Sequence, residues 1–167
     1  MRRRLAISAL ALALAVLVAA SAAVAFLPAT LFTAGAPYDE ATVTVVDESG
    51  TTLGTVDARV ADTRGERYTG LSNTSSLPPD AGMLFVFPEE DRRAFVMRRM
   101  DFPLDMLFVA GNGTITAVHS APVPPPGTSE GTLTRYTGRA QYVLEVNRGW
   151  AAAHDVSPGD GVRITHT

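Results

Sequence analysis

Residues 85–108 read FVFPEEDRRAFVMRRMDFPLDMLF. Three apolar runs carry this stretch and its flanks: MLFVF at 83–87, AFVM at 94–97 and LDMLFV at 104–109. The charged segment PEEDR separates the first two. Arg98, Arg99 and Asp101 separate the second from the third. Runs this short and this rich in β-forming side chains predict strands rather than helices. The polar groups between them are then gathered at one end of a β core. Pro103 has no amide hydrogen to donate to a ladder, so it marks a bend before the third strand.

Moving outward, residues 104–110 and 114–119 flank Gly111-Asn112-Gly113. Asn-Gly supplies the positive φ of a tight turn, so these form the clearest hairpin in the chain. Upstream, 41–46 alternates Thr and Val, 47–50 is a turn, and 53–60 resumes the alternation, giving a first hairpin. Residues 61–71 predict a short helix. Thr63 and Glu66 stand at capping-box spacing, and Gly70 ends the segment. Downstream, PVPPPG at 122–127 is a stiff surface loop. Residues 132–136 and 140–146 read as strands, 148–154 as a short helix capped by Asn147, and 162–165 as a last strand. Eight or nine short strands with two short helices predict a mostly β fold, an antiparallel sandwich or closed barrel.

The N-terminus differs in kind. Arg2, Arg3 and Arg4 precede residues 5–27, whose only polar side chains are Ser8 and Ser21. As a helix this run spans about 34 Å, against about 30 Å for a hydrocarbon core. It exceeds the apolar core of a cleavable signal, about 7–15 residues, so length favours an uncleaved transmembrane anchor. Ala23-Val24-Ala25 has the form of a cleavage site, which makes secretion after cleavage the alternative. The arginines stay cytoplasmic, which places the rest outside the membrane. The expected organisation is an anchor or signal over 1–27, a linker over 28–40 and an extracytoplasmic β domain over 41–167.

Without the three leading arginines the chain carries 11 Arg and no Lys against 17 Asp+Glu, so 11 − 17 = −6. That balance excludes a nucleic-acid partner, which needs a basic face. With no cysteine there is neither a disulfide framework nor a thiolate metal site. His119, His154 and His166 fall in separate elements and lack metal-site spacing. Met83, Met97, Met100 and Met106 are soft donors in principle, but core packing explains them more simply. No metal and no cofactor is expected. Hydrolase, zincin, P-loop and dinucleotide motifs are all missing.

Five polar residues sit inside otherwise apolar motifs: Glu66, Arg67, Arg98, Asp105 and Glu145. A carboxylate among apolar strand neighbours is costly unless paired. Capping accounts for Glu66 locally. The arginines are the natural partners of the other acids. Period two places Val143 and Glu145 on one face of their strand, and Tyr142, Leu144 and Val146 on the other.

The segments A-x-T-x-x-E-R-x-x-G-L (61–71), G-M-L-F-V-F (82–87), F-x-M (95–97), P-L-D-x-x-F (103–108), Y-V-L-E (142–145) and Gly159-Asp160 occur in that order. Together they resemble a widespread bacterial and archaeal family, domain of unknown function 192, over residues 42–165. The resemblance implies a compact jelly-roll-like β domain, often behind a signal or anchor, and brings no activity with it. Three positions depart from the family's pattern. Ser72 stands where Met is usual, Val96 where Trp is usual, and Arg98-Arg99-Met100 where Lys-Asn-Thr is usual. A family ligand stacking on that Trp would bind poorly here.

Three functional readings remain. The first is a membrane-tethered binder of a small ligand, anionic in part, or of an envelope protein, with the five residues lining its pocket. The second is a hydrolase or lyase acting on an envelope component through Asp105 and Glu145. The third is a structural or assembly module. The missing catalytic motifs lean the reading away from an enzyme without excluding one.

Overall fold

The computed structural model describes residues 38–167. The expected anchor and most of the linker lie outside them. Among the described residues no helix is long and apolar enough to cross a membrane. The elements in order are β1 (Glu40–Val46), β2 (Thr52–Ala61), α1 (Arg64–Thr69), β3 (Ala81–Phe95), β4 (Leu104–Val109), β5 (Ile115–Ala121), β6 (Tyr136–Asn147), α2 (Trp150–Ala153) and β7 (Gly161–His166). The seven strands form one sheet in the order β5-β4-β6-β3-β2-β1-β7.

The mostly β class and the two short helices agree with expectation. The antiparallel sandwich or barrel does not. The sheet is mixed, because β2 and β3 run parallel from Asp57↔Ala81 to Ala61↔Phe85. A parallel pair needs a long connection that returns the chain to its starting end. The segment 62–80, with α1 inside it, provides that return. The sheet is not a closed barrel either. Its edge strands meet at one corner, where Thr114 bridges Gly161 and the Val162 amide donates to the Gly113 carbonyl at 2.7 Å.

The runs at 83–87 and 94–97 are not two strands around a turn. They are the two halves of β3, and both pair with β6. Between Val86↔Tyr142 and Asp91↔Ala140 the register shifts, and residues 87–90 (FPEE) bulge opposite Gln141. Pro88 cannot donate to the ladder, which disfavours regular pairing there. Arg93 closes the bulge by donating from Nη2 to the Glu89 carbonyl at 2.6 Å. The local pattern of a turn is therefore present, but a long partner strand keeps both halves in one ladder. The strand expected over 132–136 is instead a 3-10 turn at Glu130–Thr132 leading into β6.

Both faces of the sheet are covered. Val43, Val45, Val56, Leu84, Leu107 and Leu144 pack on one face with Trp150 of α2. Met83, Phe85, Met106, Phe108 and Val143 pack on the other with Leu71, Met97 and Met100. All six residues of β4 are buried, because it is central to both cores. Each of its five apolar side chains contributes about 1.5–3 kcal/mol on burial. On the second face Phe95 meets Phe85 and Phe108 edge to face, with centroids at 4.9 and 5.8 Å.

Candidate functional site

α1 sets one wall of the site, and local sequence sets α1. The Thr63 hydroxyl accepts from the Glu66 amide at 3.2 Å, and Glu66 Oε2 accepts from the Thr63 amide at 3.0 Å. This reciprocal cap satisfies amides that the first turn leaves free. Bonds donated to Oε2 by the Thr63 amide and hydroxyl hold the Glu66 carboxyl below its usual pKa range. Gly70 ends the helix at φ 49°, a conformation that favours glycine. Glu66 is thus occupied by the helix start and does not line the cleft.

Arg67, one residue on, turns toward the sheet. Its Nη1 donates to the Val86 carbonyl at 2.8 Å and to the Asp62 carbonyl. Its guanidinium lies 5.1 Å from the centroid of Phe87, and Arg93 lies 4.1 Å from the same ring. Arg98 comes from the loop after β3. Its Nη2 donates to the Tyr68 carbonyl, and its guanidinium stacks 4.0 Å from the Tyr68 ring centroid. Ser72 clamps that loop by donating to the Arg98 carbonyl at 2.9 Å. The departure at Ser72 therefore has a structural use: a hydroxyl ties the two walls together.

Between these walls lies an open cleft of about 360 Å³. Arg64, Arg67, Tyr68 and Arg98 are at its lining, with Phe85, Phe95, Met97 and Met100 as apolar surface and Glu145 on the sheet. Glu145 projects from β6 on the face that period two predicts. Met83 and Met106 flank it in register on either side. It is 5% exposed, and it makes no hydrogen bond or ion pair with any described residue. Burial among these apolar neighbours pushes its pKa up to about 8.

Asp105 lies elsewhere. It accepts from the Ser120 hydroxyl at 2.7 Å, the Gly149 amide at 2.8 Å and the Ala151 amide at 3.1 Å. It caps α2 from a neighbouring strand, whereas the expected cap, Asn147, donates to the carbonyls of Leu77 and Pro78. Of the five sequence-selected residues, the structure brings Arg67, Arg98 and Glu145 to one cleft and leaves Glu66 and Asp105 outside it. Sequence reasoning passed over Arg64 and Tyr68, although Tyr68 adjoins Arg67 and is 66% exposed. It also passed over Phe85 and Phe95 as cleft surface, since both read as core. Among the described residues no group of three or more His, Cys, Asp or Glu side chains is placed to hold a metal ion.

Comparison with known proteins places this geometry. A search of curated proteins finds no match. A crystal structure from Sinorhizobium meliloti 1021, described as a "putative transcription regulator", is similar at 33% identity and TM-score 0.69, covering 78% of this chain and 97% of its own. A protein of unknown function from Novosphingobium aromaticivorans DSM 12444 is similar at 31% identity and TM-score 0.62, covering 73% and 83%. The sequence model of DUF192, described as "Uncharacterized ACR", matches residues 44–164, which contain every strand of the sheet except the ends of β1 and β7. With the ordered motifs, the sheet and these solved relatives in agreement, this chain belongs to the DUF192 family.

Proposed function

We propose that this protein is a membrane-tethered, extracytoplasmic domain that binds a small ligand in the cleft between α1, the far half of β3 and the loop after it. One observation carries the reading. Glu145 is a buried carboxyl with no partner among the described residues, and it opens onto a cleft rather than onto packed side chains. An unpartnered buried polar group costs on the order of 1–3 kcal/mol. Its retention at the base of an open cleft is accounted for by a ligand that completes it. Arg67 and Arg98 add guanidinium donors beyond those spent on carbonyls, and such forks suit carboxylate or phosphate. The tether rests on the apolar run at 5–27 behind three arginines.

The hydrolase reading has lost its support, because Asp105 and Glu145 do not share a site. A DNA-reading role gains none: α1 and α2 have six and four residues, and the exported part is acidic. The test is a thermal-shift screen of the full-length protein against envelope metabolites, repeated with Glu145→Gln and Arg98→Ala. A ligand at 100 times its Kd stabilises by about 2.7 kcal/mol, a readily measured shift. Stabilisation that both substitutions weaken is the expected outcome. Stabilisation indifferent to both would move the site elsewhere.

A further inference from the structure

Ligand chemistry follows from the way charge is divided inside the cleft, and this step rests on the cleft being a ligand site. At the mouth stand three guanidiniums, Arg64, Arg67 and Arg98, none in a salt bridge with a described carboxylate. At the base stands a single carboxyl, Glu145, without a partner among the described residues. Between them the lining is aromatic and thioether: Tyr68, Phe85, Phe95, Met97 and Met100. A simple anion would satisfy the mouth but leave the buried acid unmatched. A simple cation would satisfy the acid but be repelled at the mouth. Aromatic faces beside a carboxylate are the surroundings that a methylated ammonium group favours, since they attract its charge without needing to donate to it.

We propose that the cleft takes a zwitterionic small molecule, its quaternary ammonium head seated against Glu145 among Phe85 and Phe95, and its carboxylate or phosphate tail held by Arg67 and Arg98. The head brings the counter-charge that no described residue supplies. The tail meets donors already oriented by the Val86 and Tyr68 carbonyls. The ligand as a whole is neutral, so it passes the basic mouth with little repulsion.

The binding reaction has a proton signature. Glu145 must ionise to hold the head, so its proton leaves as the ligand enters. The charged groups facing it are Arg64 and Arg67 from α1, Arg98 from the loop, and Arg93 behind Phe87 on β3. Tyr68 is the remaining titratable group of α1 at the cleft. The immediate neighbours of Glu145, Met83 and Met106, do not titrate, and His119 lies one strand beyond Met106. Neither the quaternary head nor a carboxylate tail titrates between pH 6 and 9, so Glu145 is the group whose proton the ligand displaces, and His119→Gln serves as the control for the one histidine near it.

The experiment is calorimetric titration of the full-length protein in detergent with trimethylammonio carboxylates of increasing spacer length, from trimethylglycine to 4-trimethylammoniobutyrate. Tetramethylammonium and the matching plain carboxylates run alongside. The expected result is binding of at least one zwitterion, tightening about tenfold per pH unit from 6 to about 8. Close to one proton should be released at pH 7, as measured in buffers of different ionisation enthalpy. Glu145→Gln should abolish the pH dependence and weaken binding at least about tenfold at pH 8. Tighter binding of the plain carboxylates, or proton uptake instead of release, would keep the cleft as a ligand site and overturn the zwitterion. No binding by any zwitterion overturns it as well, and the wider metabolite screen then decides the cleft reading by itself.

Discussion

Asp105 and Glu145 lie on neighbouring strands, one step out of register, and face opposite sides of the sheet. Asp105 pairs with Val146 and Glu145 with Met106, so the pleat sends the two acids to different cores. One is fully bonded and the other has no partner among the described residues. Their roles therefore separate, and each is tested by a different kind of measurement.

Asp105→Ala should destabilise the domain by about 3–5 kcal/mol. It leaves the Gly149 and Ala151 amides without their acceptor and frees the start of α2. Asp105→Asn keeps one acceptor oxygen and should cost about 1–3 kcal/mol. Urea denaturation followed by the fluorescence of Trp150, the single tryptophan, reads both. Losses below 1 kcal/mol for the alanine variant would mean that the cap is not needed.

Glu145 should make the unliganded protein less stable as pH rises from 5 to 8. Its folded pKa, about 8, lies above the ordinary 4.5, so the folded state holds a proton that the unfolded state has released. Stability is then complete below the unfolded value and is lost toward the folded one. Asp47, Glu66 and Glu90 shift the other way, and their contributions are already present above about pH 5. At 1.36 kcal/mol per unit the limit is about 5 kcal/mol, and water reaching the cleft reduces this to about 2–3. Glu145→Gln should flatten the slope and raise Tm at pH 8. A wild-type Tm independent of pH across this window would show that the carboxyl is hydrated.

Gly82→Ala should cost about 2 kcal/mol or more. A Cβ there would stand 2.6 Å from the Glu145 carbonyl oxygen and 3.0 Å from Val56 Cγ1. The first contact is paired backbone inside the sheet and cannot turn aside. Chemical denaturation measures it, and a neutral result would require the β3–β6 ladder to open.

Thr63→Ala should lose about 1 kcal/mol by removing half of the α1 capping box. Because Thr63 and Glu66 are outside the cleft lining, ligand affinity should change less than threefold. A larger loss of affinity would mean that the helix start positions Arg67 directly.

The division between what the chain shows and what it conceals follows the range of the forces. Thr63 and Glu66 could be recognised as a cap because a cap is an exchange between residues three apart. Gly113 adopts φ 87° in the hairpin that Asn112-Gly113 announces. The face taken by Glu145 follows from period two alone. The sequence by itself thus determined the two hairpins, the start of α1 and the family. Only the tertiary structure decided which strands adjoin, because pairing depends on long-range contacts that local patterns do not encode. It joined 83–87 to 94–97 across a bulge, ran β2 beside β3 in parallel, and let Asp105 cap a helix start 44 residues away. It also left Glu145 to face an open cleft rather than an arginine, since the Arg67 and Arg98 guanidiniums are held at the mouth by the Val86 and Tyr68 carbonyls.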